Sequence, residues 1–143
     1  MEAYCAYQER CHSEVESKLK QMDLIPEARE LILLHLLEQD FLNEERFARS
    51  FARGRFRIKK WGRSRIEREL KYRGISAYNV KKALSEIEMP EYESTLKELA
   101  ARKYDSVTES HPLKKRKKVA DYLLRKGFES DRVYAVLMEL ENR

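Results

Sequence analysis

Apolar positions in this chain recur at helical spacing, and nowhere do they alternate over the length of a strand. Val80, Ala83, Leu84 and Ile87 stand at i, i+3, i+4 and i+7 until Pro90 ends the pattern. Ile66 and Leu70 lie one turn apart just upstream. Between these two runs, Gly74-Ile75 reads as a left-handed glycine closing one helix with a hydrophobic contact after it, and Ser76 as the cap of the next. Ser64 with Glu67 three residues on, following the Trp61-Gly62 break, predicts a capping box at the start of the Ile66 helix. Before that break, Phe47, Phe51, Gly54 and Ile58 fall on one side of a helix. Together these signals predict a unit of three helices.

The unit recurs. A shift of 53 residues carries Ile66, Leu70, Gly74, Ile75, Val80, Ala83, Leu84 and Ile87 onto Val119, Leu123, Gly127, Phe128, Val133, Val136, Leu137 and Leu140, each of matching character. A shift back by 51 reaches Val15, Leu19, Asp23, Leu24, Arg29, Ile32, Leu33 and Leu36, where Asp23 and Arg29 break the match. The predicted fold is therefore all-α, an elongated array of three tandem three-helix repeats over residues 1–38, 39–89 and 90–143. Pro26 suits the first position of the third helix in the first repeat. In the third repeat a polar loop, DSVTESHP at 105–112, separates the first helix, with Leu96, Leu99 and Ala100, from the second.

Composition narrows the class. A charged fraction of 38%, with only 4 Gly and 3 Pro, fits a helical soluble protein. The longest apolar run, Leu31 to Leu37, is interrupted by His35 and falls short of the roughly 20 residues that span a bilayer. No leader pattern precedes the first helix, so a cytoplasmic protein without membrane contact is expected. Cys5 and Cys11 fall almost two turns apart on what reads as one helix, too far to bridge, and read as free buried thiols. His12, His35 and His111 form no ligand set, so neither metal nor cofactor is expected. Phosphate loops, nucleophile elbows and spaced carboxylate pairs are missing too, which argues against an enzyme.

Charge is segregated. Residues 1–46 hold five Lys or Arg against eleven Asp or Glu, a net of −6, whereas Phe47 to Arg73 holds eleven against two, a net of +9. Arg46, Arg49, Arg53, Arg57 and Lys60, spaced 3, 4, 4 and 3, fall on one side of a helix, opposite the apolar seam. Lys59, Arg63, Arg65 and Lys71 continue the basic stretch. A second run, Lys114, Lys115, Arg116, Lys117 and Lys118, sits at a helix start, where cations oppose the macrodipole. A solvated helix face is the plain alternative for such runs, but an anionic partner would offset the repulsion. Glu67 and Glu69 read as intrahelical partners, for example Arg65 with Glu69. Trp61 and Tyr72 read as core or boundary residues rather than as a stacking ladder.

The stretch FLNEERFARSFARGRFRIKKWGRSRIERELKYRGI, from Phe41 to Ile75, closely resembles the core signature of the RecX family, regulators of the RecA recombinase. That signature runs aromatic-Leu-acidic-acidic, Arg-Phe-Ala, a basic helix, a glycine, then Ile, Glu-Leu and Lys/Arg-Gly-Ile. Asn43 and Glu44 stand where paired aspartates are usual, and Arg63 where a proline commonly follows the glycine. The resemblance implies a non-enzymatic inhibitor that lodges in the groove of a RecA filament on single-stranded DNA, and a monomer is expected. It would oppose ATPase, strand exchange and filament extension, with weak direct DNA binding. The fourteen cations named above would be its filament- and phosphate-binding residues. Two other classes fit the residues less well: a helix-turn-helix-like DNA-binding protein, which needs amides toward base edges, and a protein-interaction scaffold using the acidic first repeat.

Overall fold

A computed structural model describes residues 1–143, and every regular element in it is a helix. The order is α1 (Glu2–Tyr7), α2 (His12–Gln21), α3 (Pro26–Glu38), α4 (Glu44–Arg57), α5 (Arg63–Tyr72), α6 (Ala77–Leu84), α7 (Met89–Ser106), α8 (Pro112–Lys126) and α9 (Ser130–Glu141). No helix is long and apolar enough to cross a membrane. Within the tandem array α4 packs on α5 and α6, while α7, α8 and α9 pack on one another.

Local chemistry explains these boundaries. Asn43 caps α4 by accepting the Arg46 N–H at 2.9 Å, and Glu44 and Glu45 in the first turn with Arg55 and Arg57 in the last suit the helix dipole. Ser76 caps α6, accepting the Asn79 N–H at 3.3 Å. Pro26 opens α3. Gly74 closes α5 at φ +77°, Gly127 closes α8 at φ +104°, and Asp23 holds the matching left-handed position in the first repeat at φ 54°. Aspartate tolerates that conformation better than most residues, so its break in the repeat pattern is chemical and not geometric.

Several expectations need correction. The buried face of α4 is Phe47, Ala48, Phe51, Ala52 and Phe56, whereas Ile58 is 78% exposed. A seam drawn through Gly54 and Ile58 drifts off the face that Ala48, Ala52 and Phe56 keep in register at i, i+4 and i+8. The helix also stops at Arg57, so Lys60, in a left-handed turn at φ 59°, is not on the α4 surface. Cys5 lies in α1 and Cys11 caps α2, so the two are not on one helix; both are free and buried. Helix α7 runs to Ser106 and Pro112 already belongs to α8, which shortens the 105–112 loop at both ends.

The hydrophobic core is split unequally. The first repeat buries a small cluster, Cys5, Val15, Leu19 and Leu36, with Leu42. The second and third share one core of 22 buried residues, one of which, Cys11, comes from the first. Gly74→Ala is expected to cost only about 1–2 kcal/mol, the strain of a Cβ at positive φ, because nothing lies within 4 Å of the added atom. Urea denaturation of the two chains measures it.

Candidate nucleic-acid and filament interface

Most cations expected to grip an anion from α4 already hold carboxylates of this chain. Arg46 reaches Glu9 at 2.6 Å and Asp40 at 3.0 Å. Arg49 bonds Glu45 at 3.1 Å and Glu86 at 2.8 Å, and Arg53 reaches the same Glu86 at 3.3 Å. Arg57 lies 3.7 Å from Glu91. The Arg49 hydrogen bond accordingly holds the Glu86 carboxyl below its ordinary pKa. These pairs connect α4 to the first repeat and to the segments after α6, so the stripe is engaged within the molecule. Lys71 pairs with Glu67 at 2.8 Å. Glu69 is taken by Arg73 at 3.0 Å and not by Arg65.

The run in α8 divides in the same way. Arg116 pairs with Glu141, Lys117 with Asp121 at 3.3 Å and Lys118 with Glu109 at 3.5 Å. Lys115 instead lies over the Tyr104 ring at 4.0 Å, and Lys114 is exposed. Of the expected cations that meet no carboxylate, Lys59, Lys60, Arg63 and Arg65 belong to the stretch where the second and third repeats join.

That join is built from backbone. Helix α5 has Gly62 as its N-cap, and no side chain, Ser64 included, caps it. The Gly62 N–H donates to the Lys126 carbonyl at 2.8 Å and the Ser64 N–H to the Gly127 carbonyl at 3.0 Å. The Arg63 N–H donates to the Tyr92 hydroxyl at 3.0 Å. A capping serine is unnecessary because the turn after α8 satisfies the helix start. Tyr92 is fully buried, stands against Phe56 and Phe128 with centroids at 5.8 and 5.3 Å, and donates its own hydroxyl to Glu129.

At this seam Lys59, Arg65 and Lys126 come together, with Lys60 and Arg125 beside them in the chain. Lys126 donates its ammonium to the Lys59 carbonyl at 2.9 Å. Arg65 reaches the Arg125 carbonyl at 3.5 Å and covers the half-buried Trp61 ring at 4.1 Å. Burial pulls the Lys126 pKa down, and the charges of Arg65 and Lys59 add to the fall. Main-chain oxygens and an indole thus hold together like charges that repel one another, the arrangement that a chain of phosphates would relieve. Arg125 and Lys126 were not among the expected site residues. The repeat shift aligns them with Tyr72 and Arg73, so nothing local marked them. Tyr72, expected at a boundary, is 87% exposed.

Comparison with known proteins agrees with this architecture. Residues 43–84 match the model of the second three-helix domain of RecX and residues 91–137 that of the third. The chain is 30% identical over 138 residues to the regulatory protein RecX of Prosthecochloris aestuarii, covering 96% of this chain and 88% of that one. Against the Oceanobacillus iheyensis RecX it is 22% identical over 96% of its own length but spans only about half, 51%, of that protein. For the Lactobacillus gasseri RecX, at 33% identity, 63% of this chain matches 33% of the relative. The crystal structure of RecX from Lactobacillus salivarius superposes with a TM-score of 0.84 at 26% identity, over 99% of this chain and 92% of the other. From these matches and the shared three-helix architecture, the chain belongs to the RecX family of regulatory proteins.

Proposed function

We propose that this chain is a negative regulator of a RecA-type recombinase. It binds in the groove of the recombinase filament on single-stranded DNA and inhibits ATPase, strand exchange and filament extension. It acts without a cofactor and without chemistry of its own, as a monomer divided near residues 38/39 and 89/90. Membership in the RecX family supports the recombinase as partner. The observation that carries the contact is the seam of Lys59, Lys60, Arg65, Arg125 and Lys126, which meets no carboxylate within the chain. Arg63, Lys114 and Lys115 are the other expected cations left without one. Arg46, Arg49, Arg53, Arg57, Lys71, Arg116, Lys117 and Lys118 would each have to exchange a partner already in place. Phosphate contact fits better than stacking, because Arg65 occupies the face of Trp61.

The test compares two double reversals. Lys59→Glu with Lys126→Glu is expected to weaken binding to the nucleoprotein filament at least about tenfold and to flatten its salt dependence by about one unit of log–log slope per lost phosphate contact. Its melting temperature should fall only slightly, through loss of the Lys126 hydrogen bond to the Lys59 carbonyl. Arg49→Glu with Arg53→Glu should lower the melting temperature further, since it sets new carboxylates beside Glu45 and Glu86. Filament binding, recombinase ATPase and strand exchange are measured alongside binding to random duplexes. Tight binding to one duplex sequence with no effect on the ATPase would overturn the proposal in favour of a helix-turn-helix protein.

A further inference from the structure

The first repeat carries a surface that the seam does not involve. Along α3, Ile32, Leu33 and Leu36 face the small core, as the burial of Leu36 shows. At 100° per residue, Leu31, Leu34 and Leu37 fall on the opposite side, and they are 69%, 51% and 45% exposed. No helix of the chain covers them. Glu27 and Glu38 lie among these leucines on the same side and Glu30 at its edge, and none of the three meets a cation of the chain. The one Lys or Arg of α3, Arg29, turns toward the inner side, and His35 is engaged by Glu2.

We infer that the outer face of α3 is a docking surface for an amphipathic helix of a partner protein that carries Lys or Arg beside an apolar ridge. Three exposed leucines opposite a helix's own core contribute nothing to the fold, and one apolar ridge laid over them would remove them from water. The carboxylates decide the occupant. A second copy docking through the same face would bring two sets of Glu27, Glu30 and Glu38 together, whereas a cationic helix pairs with all three. This surface is distinct from the cation seam, and either could fail without the other.

The test uses the full chain and two designed helical peptides with leucines at i, i+3 and i+7, one flanked by lysines and one by glutamates. Fluorescence anisotropy is followed at several salt concentrations. The lysine peptide should bind and the glutamate peptide should not. Leu31→Gln with Leu34→Gln should weaken binding about tenfold per leucine and leave the melting curve unchanged. Glu27→Gln, Glu30→Gln and Glu38→Gln together should abolish the salt dependence, and Lys59→Glu with Lys126→Glu should leave peptide binding intact. No binding of the lysine peptide at any salt concentration overturns the inference. Equal binding of both peptides, undiminished binding by the leucine variant, or sedimentation showing that α3 pairs two copies of the chain overturns it as well.

Discussion

Tyr92→Ala is expected to destabilise the chain by about 3–5 kcal/mol, the range for truncating a buried aromatic side chain. Tyr92 is fully buried between Phe56 and Phe128, and it touches α4 through Phe56, α5 through the Arg63 N–H and the start of α9 through Glu129. The alanine variant loses the ring contacts and strands the Arg63 N–H together. Tyr92→Phe separates the two effects. It keeps the packing and should cost about 1–3 kcal/mol, the penalty for leaving a buried polar group without its partner. Denaturant titration of both variants gives the split, and equal losses would mean that the ring contributes nothing beyond its hydroxyl.

Burial also raises the Tyr92 phenol pKa well above the ordinary value, with the Glu129 carboxylate adding to the rise. A phenol whose folded pKa is raised contributes stability that is fully present below its unfolded pKa of about 10 and is lost as pH rises past that value. The parent should therefore lose stability faster than Tyr92→Phe in alkaline buffer.

Legibility in the sequence followed how local each cause is. Gly74, Ser76 and Pro26 act within a few residues of themselves, and the helix ends they mark are where the sequence puts them. The 53-residue shift works because a core position and its copy face equivalent neighbours: Ile66 and Val119, or Leu70 and Leu123, are all fully buried. Ile58 and Lys60 were misplaced because a pattern counted at 100° per residue has no natural end, and α4 stops at Arg57. Ser64 looked like a cap because its spacing to Glu67 is right, yet the start of α5 is satisfied by a turn more than sixty residues later. The candidate site suffered most. Charge in a sequence is visible, but pairing is not, and Glu9, Glu86 and Glu91 are too distant along the chain to reveal that they neutralise the α4 arginines. The closeness of Lys59 to Lys126 likewise depends on two glycines whose spacing carries no signal.

Those glycines set the second large effect. Gly127→Ala should cost about 2–5 kcal/mol, combining the strain of a Cβ in the left-handed region, about 1–2 kcal/mol, with overpacking, about 1–3 kcal/mol. Its Cβ would lie 2.3 Å from the Arg65 Cβ and 2.7 Å from the Arg65 nitrogen. Gly62 has an ordinary φ of −77°, so Gly62→Ala carries only the overpacking term, about 1–3 kcal/mol. Its Cβ would meet the Gly127 carbonyl carbon at 2.2 Å. Main-chain atoms cannot swing aside as side chains do, so the seam must part, breaking the hydrogen bonds from Gly62 to Lys126 and from Ser64 to Gly127. Hydrogen exchange at the Gly62 and Ser64 amides should accelerate in both variants, while exchange within α2 stays as in the parent. Filament binding should weaken too, although no charge has changed, because Lys59, Arg65 and Lys126 are held together only while the two backbones touch. If Gly127→Ala proved no costlier than Gly74→Ala, whose added carbon meets open space, the close approach at the seam would not be what fixes the third repeat against the second.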